Sequence, residues 1–216
     1  MSYLYETQKT DLSHIRELDY YRQGRFMELD LASRRNLELT ETLRGKEKKG
    51  SLLWVLDKTK TPMGARMLRG WLERPLLSVT DIDRRSGAVA ALVNDTIRRE
   101  ELIAGMTGLG DMERLIGRIV YGTAGGRDMV SLRAAIEKLP NLKEQLSAFS
   151  DRRLTELTAE LDTLDDISVD IAAAICDEPP FSVREGSIIR DGFNEEVDRL
   201  RHILKSGKGV IAEMEA

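Results

Sequence analysis

The stretch LDKTKTPMGARMLRGWLERPL, residues 56–76, is dense in basic side chains and holds no group placed for catalysis. Its local physics is that of a helix. Thr61 is a natural N-cap, and Pro62 at the first helical position loses only an amide that would have had no partner. Ala65, Leu68, Trp71, Leu72 and Pro75 recur at intervals of three and four, the signature of one apolar face. Arg66, Arg69, Glu73 and Arg74 take the other side. Arg69 and Glu73 stand four apart and can pair. Pro75 stops the helix, because the residue before a proline avoids the helical region. Spacing alone leaves two readings open, scaffold or a phosphate-contacting basic face, and a charged helix face is ordinarily just solvated.

The rest of the 216 residues carries the same helical character. Aromatic residues make up only 5% and charged residues 32%, with Leu, Ala, Glu and Arg abundant. The net charge of −4 argues against a protein that coats nucleic acid indiscriminately. That average hides an asymmetry. From Arg44 to Arg74 nine Lys or Arg face three Asp or Glu, a local +6; from Asp151 to Ser182 two Arg face nine acids, a local −7.

Cys176, the one cysteine, follows Ala172-Ala173-Ala174-Ile175 and reads as a buried, inert thiol. Its solitude points to a cytoplasmic chain without disulfides. No apolar run approaches the roughly 20 residues of a membrane span, and the opening residues do not read as a signal peptide.

The sequence predicts an all-α fold, an irregular helical bundle with at most a short extended segment near Phe26–Asp30. Helices are expected from Ser2 to about Tyr21, from Leu31 to Leu43 behind an Asp30 cap, and from Ser51 through Leu56. Another should open at Thr80-Asp81 and run towards Leu102. GKEKKG (45–50), GMTGLG (105–110) and GTAGG (122–126) read as breaks, with helices restarting at Asp111 and Asp128. Further on, Leu154, Leu157, Leu161, Leu164, Ile171 and Ile175 fall on a heptad seam with Ser168 in the missing place. A second seam runs through Phe193, Val197, Leu200, Leu204, Gly207, Ile211 and Met214. It reaches the end of the chain without cap or stop, so the pattern calls for a partner helix supplied from beyond these residues.

No residue pattern in the sequence carries chemistry. His14 and His202 are remote from each other and read as surface residues. No spacing suits zinc or calcium. Gly45-Lys46 is followed by Glu47 and Gly207-Lys208 by Gly209, so neither fits the GxxxxGK(S/T) phosphate loop. GMTGLG has no preceding strand and is not a dinucleotide fingerprint. Asp162, Asp165 and Asp166 read as a solvated helix face. No catalytic, cofactor-binding or metal-binding residue is assigned, and the chain is expected to be no enzyme by itself.

Several segments together carry a resemblance: FMELDLASRRNLELTET (26–42), SLLWVLDKTKTPMGARMLRGWLERPL (51–76) and DIDRRSGAVAALV (81–93). LYETQK and LSHI precede them, and DMERLIGRI (111–119), GRDMVSLRAAIEKLP (126–140) and VREGSIIRDGFNEEVDRLR (183–201) follow. The chain closely resembles, over essentially its whole length, the core or lever domain of the MutS family of DNA mismatch-repair ATPases. The resemblance implies a first core segment over residues 1–182. It implies an ascending lever helix over 183–216, leading to a clamp that lies elsewhere. It further implies that ATP and Mg belong to a separate ATPase domain. The partners it implies are the other domains of the same polypeptide, mismatched duplex DNA and a second copy of the full-length protein, with no membrane. The core would relay nucleotide state to the DNA-gripping clamp.

Phe26-Met27-Glu28 matches the family's Phe-X-Glu mismatch wedge by letter, but that wedge belongs to a different domain, so Phe26 is read as a packing residue. Alternative readings are the equivalent core of a MutS-like paralogue in recombination control, or a free-standing helical interaction module. LYETQK and RRNLEL resemble the mismatch-repair branch more closely, and a free-standing module would end in a capped helix.

Overall fold

The computed structural model describes residues 6–7, 24 and 26–214, with the side chains of 205 and 207–214 excepted. The first expected helix therefore lies outside the described residues, except at Glu6 and Thr7, which are helical. Among the described residues the fold is helical, with no strand; the extended backbone makes two isolated bridges, Phe26 with Leu76 and Ile175 with Ile189, both antiparallel. The chain divides into two compact units, Met1–Thr96 with Asp151–Arg153, and Ile97–Ser150 with Leu154–Ala216.

In the first unit the expected extended segment is real. The Met27 amide donates to the Pro75 carbonyl at 2.8 Å, which ties residues 26–27 to the end of the opening stretch. Asp30 caps α1 (Leu31–Asn36), its carboxylate accepting from the Ser33 amide. This helix stops well short of the expected Leu43. Glu38 takes a positive φ of 47°, and the carbonyls of Glu38 and Leu39 accept from the amides of Leu52 and Leu53 at 3.0 and 2.8 Å. Bonds to a distant segment win over helix propagation. α2 (Leu52–Leu56) begins at that contact, capped by Ser51. Ser51 is fully buried; its hydroxyl donates to the Lys48 carbonyl and accepts from the Trp54 amide, so the buried polar group is satisfied.

α3 (Pro62–Glu73) matches the expectation: Thr61 accepts from the Gly64 amide at 3.1 Å, and the helix ends just before Arg74-Pro75. Arg69 and Glu73 pair at 2.8 Å. Its apolar face is half-buried rather than buried, and Trp71 stays 44% exposed. The Arg85 guanidinium lies 3.9 Å from the Trp71 ring centroid. α4 (Val79–Asn94) is capped by Ser78, slightly earlier than expected. It does not run on to Leu102. The chain leaves the helix at Asp95, and α5 (Thr96–Met106) starts afresh. Asn94 and Asp95 are short polar side chains that compete with the helical backbone and favour such ends.

The second unit holds α5 from Ile97 on, α6 (Met112–Val120), α7 (Gly126–Ile136), α8 (Leu139–Ser147), α9 (Arg152–Glu160), α10 (Asp165–Ala174) and α11 (Glu195–Met214), the first residues of α9 excepted. Its core joins Leu132 and Ile136 of α7 to Ile171 and Ile175, with Met112, Leu115, Ile188 and Ile189 packed around them. Ile136 is only 1% exposed. Complete burial of such a side chain contributes about 1.5–3 kcal/mol. Gly126 is required by contact: a Cβ there would stand 2.7 Å from the Pro179 side chain and 2.9 Å from that of Ile188.

The first heptad seam, 154–175, is not a continuous helix. α9 and α10 are separated by Leu164 in the left-handed region, φ 54°. The Asp162 carboxylate accepts from the Leu164 amide at 3.0 Å, and Lys143 Nζ caps the Leu161 carbonyl at 2.6 Å. The periodicity survives because Leu154, Ile171 and Ile175 are all buried, but the apolar spacing spans a turn.

Candidate functional site: the root of the C-terminal helix

The expected helix over 183–216 is realised only from Glu195. Residues Val183–Glu185 form one 3-10 turn, closed by a capping box in which Ser182 and Glu185 satisfy each other's amides. Gly186 and Ser187 follow with φ of 74° and 55°, and the chain then runs back along the end of α10. There the Cys176 amide donates to the Ile188 carbonyl at 2.9 Å and the Arg190 amide to the Ala174 carbonyl at 2.8 Å.

Arg190 fixes this crossing. Its Nε donates to the Ala172 carbonyl at 3.0 Å and its Nη2 to the Ile175 carbonyl at 3.2 Å. A guanidinium thus meets the orphan carbonyls at the negative end of α10, where a cation is favoured. Arg190 also donates to Asp177 Oδ1 at 3.0 Å, which Arg133 of α7 reaches from the other side at 3.2 Å. Hydrogen bonds from Arg190 and then Arg133 hold the Asp177 carboxyl below the usual carboxylate range.

From Asp191 the chain turns into α11. Gly192 has φ 85°, and its amide donates to Asp198 Oδ2 at 2.8 Å. Asn194 accepts from the amides of Glu196 and Val197, both at 3.1 Å. Glu195, Glu196 and Asp198 place negative charge in the first turn, where the helix dipole favours it. Arg201 then reaches back from the second turn. It donates to the Ile189 carbonyl at 2.7 Å and to Asp191 Oδ1 at 2.6 Å. Its side chain is only 18% exposed.

The apolar contribution at this root is small. Leu200 is 48% and Leu204 83% exposed. Together with Val197 and Ile188 they line an open groove of about 770 Å³. The helix is therefore held at its base by polar ties and leaves its seam uncovered among the described residues. The helix passes without a break through Gly207 and Gly209.

Other expected features are distributed elsewhere. His202 is exposed on α11, and His14 lies outside the described residues. Cys176 is half-buried rather than buried, and lies beyond α10, where its thiol donates to the Ser187 carbonyl. Phe26 pairs with Leu76 through the backbone. The basic stretch is partly neutralised within itself: Lys48 pairs with Asp57 at 2.5 Å, and bonds from Lys48 and then Thr59 lower the Asp57 carboxyl to about 2. No group of three or more His, Cys, Asp or Glu suited to a metal occurs among the described residues, and among them no helix is long and apolar enough to cross a membrane.

The residues that organise the root, Arg133, Asp177, Arg190 and Arg201, were not singled out by sequence reasoning. A signal did exist: Arg190-Asp191-Gly192 followed by Asn194-Glu195-Glu196 is a turn and then a capped acidic helix start.

Residues 32–215 match the family model described as MutS domain III. Over its whole length the chain is 45% identical to the DNA mismatch repair protein MutS of Desulforamulus reducens, covering 25% of that protein. It is 46% identical to the DNA mismatch repair protein MutS of Lachnoclostridium phytofermentans, covering 23% of it. Over 99% of its length it is 47% identical to that of Alkaliphilus oremlandii, covering 24%. The chain thus spans about a quarter of the length of these relatives.

Proposed function

The chain belongs to the MutS domain III family, and on that basis we propose that it is the core and ascending lever of a DNA mismatch-repair protein. Residues 1–182 form the core segment and 183–216 carry the lever. ATP and Mg are handled by another domain of the longer protein, and this chain relays the nucleotide state towards the part that grips mismatched duplex DNA. The longer protein acts in the cytoplasm as a homodimer. The name shared by the relatives favours mismatch repair over recombination control.

The observation that carries this reading is the bond from Arg201 to the Ile189 carbonyl. Ile189 pairs with Ile175 and packs on the core of Leu132 and Ile136, so a displacement of that core is handed to α11 through a short, directional, charge-assisted contact. At 1.5 Å per residue the 20 residues of α11 extend about 30 Å, which makes a small rotation at the root a larger excursion at the tip.

The test is Arg201→Ala in the full-length protein, followed by ATP-driven release from an oligonucleotide bearing a G·T mismatch. Release slowed at least tenfold, with nucleotide affinity unchanged, supports the relay. Release at the wild-type rate refutes it.

A further inference from the structure

We propose that Arg201 is a latch that sets the direction of α11, and that the chain at Asp191–Gly192 is the pivot it holds. Upstream of that point the backbone is fastened to the core. Arg190 bonds to Ala174 through its amide and to Ala172 and Ile175 through its guanidinium, and Ile188 sits against Gly126. Downstream lies a capped helix with its own internal bonds. Between them, Gly192 adopts φ 85°, and a Cβ built on it meets nothing within 4 Å. No side-chain packing at residue 192 defines the torsions there.

Polar contacts define them instead: the Phe193 amide closes a turn on the Arg190 carbonyl at 3.3 Å, and the side-chain contacts converge on one guanidinium. Arg201 bridges the Ile189 carbonyl and Asp191 on the core side, and stands 3.6 Å from Asp198 on its own helix. Asp198 in turn accepts from the Gly192 amide. A planar fork can satisfy a carbonyl and a carboxylate at once, which a lysine ammonium does less specifically. The neighbouring groove of about 770 Å³ between Ile188 and the face of Val197, Leu200 and Leu204 gives the helix room to tilt once the fork lets go. Asp191 is 84% exposed, so that half of the latch is open to salt. The arrangement is a joint with a polar lock and an apolar clearance.

This inference rests on reading α11 as a lever, but its test does not need the rest of the protein. Spin labels at Glu144→Cys on α8 and His202→Cys on α11, in a Cys176→Ser background, report the direction of the helix by dipolar distance measurement on the 216-residue chain. With Arg201 present the distance distribution is expected to be narrow. Arg201→Gln should at least double its width while the urea midpoint of the core stays unchanged. Arg201→Lys should fall between, and 1 M NaCl should broaden the parent distribution.

An unchanged width in Arg201→Gln overturns the proposal. If that variant lowers core stability, the pair Asp191→Asn with Asp198→Asn decides: broadening sustains the latch, and no change overturns it. A broadened distribution with normal ATP-driven release in the full-length protein would retire the lever reading and leave the latch standing.

Discussion

Arg201 and Ile189, twelve positions apart in sequence, are joined by a side chain-to-backbone hydrogen bond of 2.7 Å. The donor sits in the second turn of α11 and the acceptor in the segment that feeds that helix. Segment and helix are therefore fixed to each other independently of the peptide links between them. The polar character of the root and the apolar character of the core give different expectations for substitution.

Ile136→Ala should destabilise the second unit by about 2–5 kcal/mol, the usual range for removing a fully buried large aliphatic side chain. Urea unfolding followed by circular dichroism measures this. A loss below about 1 kcal/mol would mean that the α7–α10 core is not the cooperative centre of the unit.

Gly126→Ala should also be costly, by about 1–3 kcal/mol, because the new methyl meets Pro179 and Ile188 inside contact distance in a packed interior. The same substitution at Gly117 of α6, where a Cβ meets nothing within 4 Å, should stabilise by up to about 1 kcal/mol through helix propensity. Comparing the two thermal midpoints separates crowding from backbone entropy.

Asp57 offers a pH dependence of known sign. Its folded carboxyl is lowered to about 2, below the ordinary value near 3.9. The stability it contributes is fully present above that ordinary value and is lost as pH falls towards 2. Wild type and Asp57→Asn should therefore differ in urea midpoint at pH 6 and converge between about pH 4 and pH 2. A constant difference across that window would show that the Lys48–Asp57 pair is not formed in solution.

Duplex DNA should bind this chain weakly and without regard to a mismatch. Lys46, Lys49, Lys58 and Lys60 are exposed, and about four phosphate contacts give a slope near −4 in log K against log salt. Fluorescence anisotropy with matched and G·T duplexes tests both points. Preference for the mismatch would place recognition in these residues and contradict the proposed division of labour.

Local rules found the parts of the fold that local forces decide. Thr61-Pro62, Ser51, Asp30 and Asp111 all cap helices as their types predict, because a cap bonds its own backbone within three residues. The misses share a different cause. The end of α1 is set by carbonyls that pair with Leu52 and Leu53, and the break before α10 by Leu164 in a conformation that leucine rarely adopts. Apolar periodicity is unaffected by such a turn, so the seam read as one helix. Arg190 and Arg201 escaped notice for the same reason. Apart from Asp198, three residues before Arg201, their side-chain partners lie between ten and eighteen residues away, beyond the reach of any helical spacing.

The acceptor at residue 189 is a peptide oxygen, which every amino acid carries. A deep mutational scan of position 189 would thus record only how well each side chain fills the core, and would assign the site no mechanical role. The same scan at position 201 would show intolerance with no visible partner. Genetic maps of this joint will look one-sided, and second-site suppressors of Arg201 variants should arise at the carboxylates of Asp191 and Asp198 rather than at Ile189, whose peptide oxygen it also grips.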